Sequence, residues 1–132
     1  MTNYMALDVG EKRVGVALAN SEVKIAIPFG AVVVNGKELV EINRLIIDEE
    51  IDVLVVGLPR NQRGEETAQS GFVRRFAANF ELSGPKLVFQ DESLTSVLAE
   101  QQLKSTNQPY SKGDVDARAA GIILQDYLEE NT

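Results

Sequence analysis

Tyr4-Met5-Ala6-Leu7-Asp8-Val9 is an apolar run that carries one carboxylate near its end and is closed by Gly10. A short apolar run stopped by glycine reads as a buried strand. A carboxylate taken out of water without a partner costs roughly several kcal/mol. Asp8 must therefore be paired, hydrogen-bonded or set beside a cation, and the rest of the chain is constrained to provide that partner.

The means available are few. The 132 residues include no cysteine and no histidine. Disulfides and thiolate metal sites are excluded, as are serine–histidine triads and imidazole acid–base chemistry. A metal would have to be held by oxygen, which favours magnesium, manganese or calcium. A length of 132 residues with 44% hydrophobic and 25% charged residues suits one globular domain over 1–132. There is no basic segment followed by an apolar core at the N-terminus, and no apolar run approaches the roughly 20 residues that span a bilayer. A cytoplasmic protein with no membrane partner is expected. The net charge of −7 argues mildly against nucleic acid as a partner. It is a whole-surface average, and a local basic zone can coexist with it.

The order of elements narrows the fold. After the first strand, Gly10–Arg13 is a turn and Val14–Leu18 the returning strand. Lys24–Ile27 and Gly30–Val34 make a third strand interrupted by Pro28, which suits an edge or a bulge. Leu39, Ile42, Leu45 and Ile46 then recur at helical spacing. Ile51–Val56 is a β-branched strand followed by a loop at Gly57-Leu58-Pro59, and Phe72, Val73, Phe76, Ala77 and Phe80 mark a second helix. Lys86–Phe89 is a short strand, Thr95 or Ser96 caps a helix to about Lys104, and Ala117, Ala120, Leu124, Tyr127 and Leu128 mark the last helix. This sequence of elements predicts an α/β fold. Its mixed five-stranded sheet has three antiparallel strands, then two parallel ones, with helices on both faces. Sites in such sheets gather at the carboxyl ends of the parallel strands.

Acids lie at those ends. Asp8 closes the first strand, Asp91 and Glu92 follow the fifth, and Asp114 and Asp116 precede the last helix. Clustered carboxylates repel and take up protons unless a cation sits between them. Each acid also has a plainer use. Asp8 can accept from the turn amides of Gly10 and Glu11. Asp91 or Glu92 can face solvent or a helix dipole, and Asp114 and Asp116 can cap a helix. It is their predicted convergence that favours a metal-dependent hydrolytic site.

Asp8-Val9-Gly10-Glu11-Lys12-Arg13-Val14-Gly15-Val16-Ala17 resembles the opening motif of the YqgF/RuvX family, described as Holliday junction resolvases or pre-16S rRNA nucleases. Val56-Gly57-Leu58-Pro59 with Gly64, Asp91-Glu92-Ser93-Leu94-Thr95-Ser96, and Val115-Asp116 with Ala119-Ala120 and Ile123-Leu124-Gln125 are similar to its later motifs, in order over nearly the whole chain. The resemblance implies an RNase H-like fold and a magnesium-dependent nuclease site, with manganese an alternative ion. Asp8, Glu92 and Asp116 would be the catalytic and metal-binding acids, Asp8 bridging two ions. The family commonly has arginine where this chain has Ser93, so one candidate phosphate contact is missing.

Lys12, Arg13, Arg60 and Arg63 flank the two loops at the expected active edge, and Lys112 precedes the last acid. They are candidates to grip phosphates, against the plainer reading of solvated turn residues. Arg74 and Arg75 are expected on the surface, and Phe72, Phe76 and Phe80 in the core. The reading is a nuclease for structured nucleic acid, in pre-16S rRNA maturation or, alternatively, on Holliday junctions. It would act as a monomer or weak homodimer. Two other readings are a relative of the actin/Hsp70-type ATPases, which generally need a second lobe to enclose ATP, and a non-catalytic nucleic-acid-binding module.

Overall fold

The structure, a computed structural model, describes residues 1–92 and 95–132. The departure at Ser93 and the cap expected from the side chain of Thr95 or Ser96 lie outside the described part. Strands β1 (Asn3–Val9), β2 (Arg13–Asn20) and β3 (Ile27–Val33) form a meander. Helix α1 (Glu38–Asp48), strand β4 (Val53–Pro59), helix α2 (Ala68–Ala78) and strand β5 (Lys86–Glu92) follow. Helices α3 (Thr95–Lys104) and α4 (Lys112–Asn131) close the described chain. The sheet order is β3-β2-β1-β4-β5. β1 pairs antiparallel with β2 and parallel with β4, and β4 pairs parallel with β5. This is the expected mixed sheet.

Alternation along the strands sorts the two layers. Met5, Leu7 and Val9 of β1 join Leu54, Val56 and Leu58 of β4 beneath Ile42 and Ile46 of α1 and Val73 and Ala77 of α2. Tyr4 and Ala6 turn to the other face with Ala17 and Val55, beneath Ala120, Ile123, Leu124 and Leu128 of α4. Helices thus cover both faces, and α3 packs on α4. Phe80 is fully buried, while Phe72 and Phe76 pack against the core. Pro28 sits on the edge strand opposite Ala17, beside a bulge between Val16 and Ala17. Both of its expected roles are met there.

Several boundaries differ from expectation, four of them near the site or for a clear local reason. Gly57-Leu58-Pro59 is strand, because β4 stays paired to β5 as far as Pro59 opposite Glu92 and Leu58 is buried. Asp91 and Glu92 accordingly lie in β5. Lys24–Ala26 is outside β3: the Asn20 side chain accepts from the Glu22 and Val23 amides and holds a turn there. The last helix starts at Lys112, because Ser111 and Asp114 form a reciprocal capping box. Asp114 and Asp116 therefore lie within α4, with Asp114 in the capping role.

Helix α4 lies close against β2 because the contact is built from small residues. Gly15, Ala17, Ala117, Ala120 and Gly121 are all buried. A Cβ on Gly15 would overlap the backbone carbonyl of Asp116. Gly15→Ala is therefore expected to cost about 3 kcal/mol, the upper end for overpacking. It should appear as a lower urea midpoint at an unchanged slope; an unchanged midpoint would contradict this close approach.

Candidate active site

The face covered by α4 holds the site. Counting by two along β1 from Tyr4 and Ala6 brings Asp8 onto it, at the strand's carboxyl end. The same count along β5 brings Val88, Gln90 and Glu92 onto it, and along β4 it brings Val55 and Gly57. Gly57 lies between the two acid-bearing strands. A Cβ there would come within 2.6 Å of Glu92 Oε2 and 2.5 Å of Ile123 Cδ1. Gly57 is thus the space into which the Glu92 carboxylate and α4 both fit.

The Asp8 and Glu92 carboxyls meet within hydrogen-bonding reach. The alternative for Asp8, capture by the turn, loses one of its two donors, because the Gly10 amide donates to the Arg13 carbonyl at 3.0 Å. Burial is the main force pushing the Asp8 carboxyl up to about 6; the Asp116 charge adds to it and the Glu92 hydrogen bond opposes it. Burial, then the Asp8 charge, then the hydrogen bond from the pair push Glu92 up to about 8. The two acids titrate as a unit that keeps a shared proton near neutrality. With both ionised, Glu92 Oε2 is buried without a hydrogen-bond partner.

Asp116 is near enough for its charge to act on Asp8, but its carboxylate is engaged elsewhere. Arg13 Nε donates to Asp116 Oδ2 at 2.6 Å, with the two side chains 31% and 23% exposed. Arg13 lies two residues before Gly15 and so shares its face of β2. The contact that seats α4 over Gly15 also sets Asp116 beside Arg13. Among the described residues, no three acids are gathered closely enough to enclose a metal ion as they stand. The structure brings Asp8 and Glu92 together and holds Asp116 at their border, tied to Arg13.

The expected phosphate-gripping residues divide in the same way. Arg13 is paired with Asp116. Arg60 donates from Nε to Asp91 Oδ1 at 2.8 Å and from Nη1 to the Gly64 carbonyl at 3.1 Å, which braces the loop after β4. Lys12, Arg63 and Lys112 are exposed. They occupy the turn after β1, the loop after β4 and the first position of α4. Arg74 and Arg75 are exposed as expected, and Arg74 also pairs with Glu66 and lies 4.8 Å over the Phe89 ring.

Sequence reasoning placed Gly15 and Gly57 in motifs without seeing that each clears space for a site acid. It treated Arg13 as a phosphate ligand or a solvated turn residue, and not as the partner of Asp116. Two-residue alternation, applied to Arg13 and Gly15 with the small residues of α4, carries that signal.

The orphaned Glu92 oxygen, its contact with Asp8 and the all-oxygen donor set fit a hard divalent cation in the place of the shared proton. Asp8 and Glu92 could hold it, with Asp116 beside them but engaged by Arg13.

A family model for RuvX, described as Holliday junction resolvase, matches residues 2–130. The chain belongs to the RuvX family. A protein of Chloroflexus aurantiacus named "Putative pre-16S rRNA nuclease" is 42% identical over 131 residues, covering 95% of this chain and 85% of that protein. One of the same name from Sulfurihydrogenibium is 35% identical over 132 residues, covering 98% and 91%. Among solved structures, Thermus thermophilus RuvC in complex with a Holliday junction substrate superposes with a TM-score of 0.63 at 12% identity, over 98% of this chain and 95% of that one. At that identity the likeness concerns the fold, which is that of RuvC-type resolvases. No helix among the described residues is long and apolar enough to cross a membrane.

The carboxyl pair predicts how stability depends on pH. Unfolded, the two groups titrate near 3.8 and 4.5; folded, they keep protons to about 6 and about 8. Between these values the native chain binds more protons than the unfolded one, so stability is fully present below about pH 4 and is lost as pH rises towards 8. Thermal melts in chelator should show this loss, and Glu92→Gln should reduce it. Equal slopes in the two proteins would refute the shared proton.

Proposed function

We propose that this RuvX protein is a metal-dependent phosphodiester hydrolase that acts on structured nucleic acid in the cytoplasm, as a monomer or weak homodimer, and matures the 5′ end of pre-16S rRNA. The observation that carries the reading is the Asp8–Glu92 carboxyl pair at the carboxyl ends of β1 and β5, with Asp116 at its border. Relatives named for pre-16S rRNA processing match nearly the whole chain and support RNA as substrate. The family description, and the junction DNA bound by the RuvC neighbour, favour a four-way DNA junction as the second reading.

Asp8, Glu92 and Asp116 would hold magnesium or manganese. The chemistry supplied by a divalent ion held there would be activation of water for attack on phosphorus and charge stabilisation of the departing oxygen. The protein's own part is to place and orient. Lys12, Arg63 and Lys112 stand at the rim where charge on either side of a scissile phosphate can be met. Arg60, fixed by Asp91 and the Gly64 carbonyl, sets the loop that carries Arg63. The sheet fixes Asp8 and Glu92 on rigid strands, so the acids are positioned before substrate arrives.

Asp8→Asn is expected to fold and to lose cleavage by about a hundredfold or more. The assay uses an RNA carrying the pre-16S 5′ extension and a four-way DNA junction, each with manganese. Full cleavage by a clean preparation of the variant would remove Asp8 from the mechanism, and cleavage of the junction alone would favour the second reading. Millimolar manganese should raise the melting temperature of the wild type by binding the folded form, and should do so much less in Asp8→Asn. Wild-type protein indifferent to the ion would favour a binding module without catalysis.

A further inference from the structure

Arg13 and Asp116 are the one ion pair described between a motif cation and a proposed metal-binding acid. Resting on the function proposed above, we infer that Arg13 is a positioning residue that exchanges partners. Without nucleic acid it holds Asp116 away from Asp8 and Glu92; when a phosphate takes its guanidinium, Asp116 is released to complete the cation site. The site would then bind its ion tightly only with substrate in place.

Three observations carry this. Asp116 is close enough to act on Asp8 by charge, yet its Oδ2 is taken by Arg13 Nε at 2.6 Å. No three acids enclose a cation among the described residues while that contact stands. The backbone there has little room to adapt, since Gly15 packs directly on the Asp116 carbonyl. Exchange must therefore come from the two side chains, both still part-exposed and open to a phosphate from the rim. A guanidinium suits such an exchange because its planar fork matches carboxylate and phosphate oxygens alike. Linkage then requires reciprocity: phosphate binding at Arg13 and cation binding at Asp116 strengthen each other by one common factor.

The test measures manganese affinity by electron paramagnetic resonance, with and without a phosphorothioate RNA hairpin that resists cleavage. Arg13→Gln frees Asp116 at once. It should bind manganese about tenfold more tightly than wild type in the absence of RNA, and should lose most of the further gain that the hairpin gives wild type. Lys12→Gln removes a like charge from the adjoining position without freeing an acid, so, measured without RNA, it reports the general effect of charge and should change manganese affinity much less. In wild type held in chelator, adding the hairpin should shift the Arg13 Nε–H resonance, a readout that needs no variant to fold.

Equal affinities for Arg13→Gln and Lys12→Gln, weaker binding in Arg13→Gln, or an Arg13 resonance untouched by bound hairpin would each overturn the exchange while leaving the nuclease reading intact. Wild type that binds neither manganese nor hairpin would overturn both.

Discussion

The approach of α4 to β2 across Gly15 is the contact on which the rest of the site depends. It lets the helix lie flat on the small face of the sheet, where Ala6, Ala17 and Val55 meet Ala120, Ile123 and Leu124. It fixes how far Asp116 stands from the strand that carries Arg13, and so determines the ion pair between them. Gly57 performs the same service one strand away, leaving room for the Glu92 carboxylate beneath Ile123. The absence of two side chains, at positions 15 and 57, makes space for the Asp116 backbone and for the Glu92 carboxylate. Core packing and site geometry are here one arrangement, because the residues that seat the helix also aim the carboxylates.

Much of the fold was legible because its signals are periodic. The apolar strands, the helical spacing of Ile42 with Ile46 and Val73 with Ala77, and the order of elements led directly to the mixed sheet. The ends of elements were less legible. The sequence Gly57-Leu58-Pro59 has the composition of a turn, yet pairing with β5 keeps it extended. No property of those three residues reports the strand that lies beside them. The start of α4 was misplaced for a different reason: Ser111 and Asp114 do form a visible capping box, but the apolar pattern that attracts notice begins later, at Ala117.

The site was half legible. Asp8 declared itself as a charge in an apolar run, and two-residue alternation places Glu92 on the same face. The partner of Arg13 did not declare itself, since a cation beside a phosphate-binding loop and a cation paired with an acid 103 residues away look alike in sequence. The net charge of −7 averages over the whole chain and carries no position, whereas Lys12, Arg63 and Lys112 are exposed at the turn after β1, the loop after β4 and the start of α4.

In the free chain the site neutralises its own acids by two separate means. A proton shared between Asp8 and Glu92 relieves the repulsion of the buried pair, and Arg13 balances Asp116. Each is a modest cation standing where a stronger one would be favoured. Three ionised carboxylates set side by side in a half-buried pocket, with nothing between them, would work against the packing that holds α4 in place. Distributing the charge between a proton and a guanidinium lets the sheet and helix close before any ion or substrate arrives. On the function proposed above, the same distribution would make the acids harder to occupy, since an incoming cation would have to displace a proton from one pair and compete with an arginine for the other. Stability of the empty fold and readiness of the site would then oppose each other at these residues. In the exchange inferred above, a phosphate engaging Arg13 would shift that balance towards the occupied site.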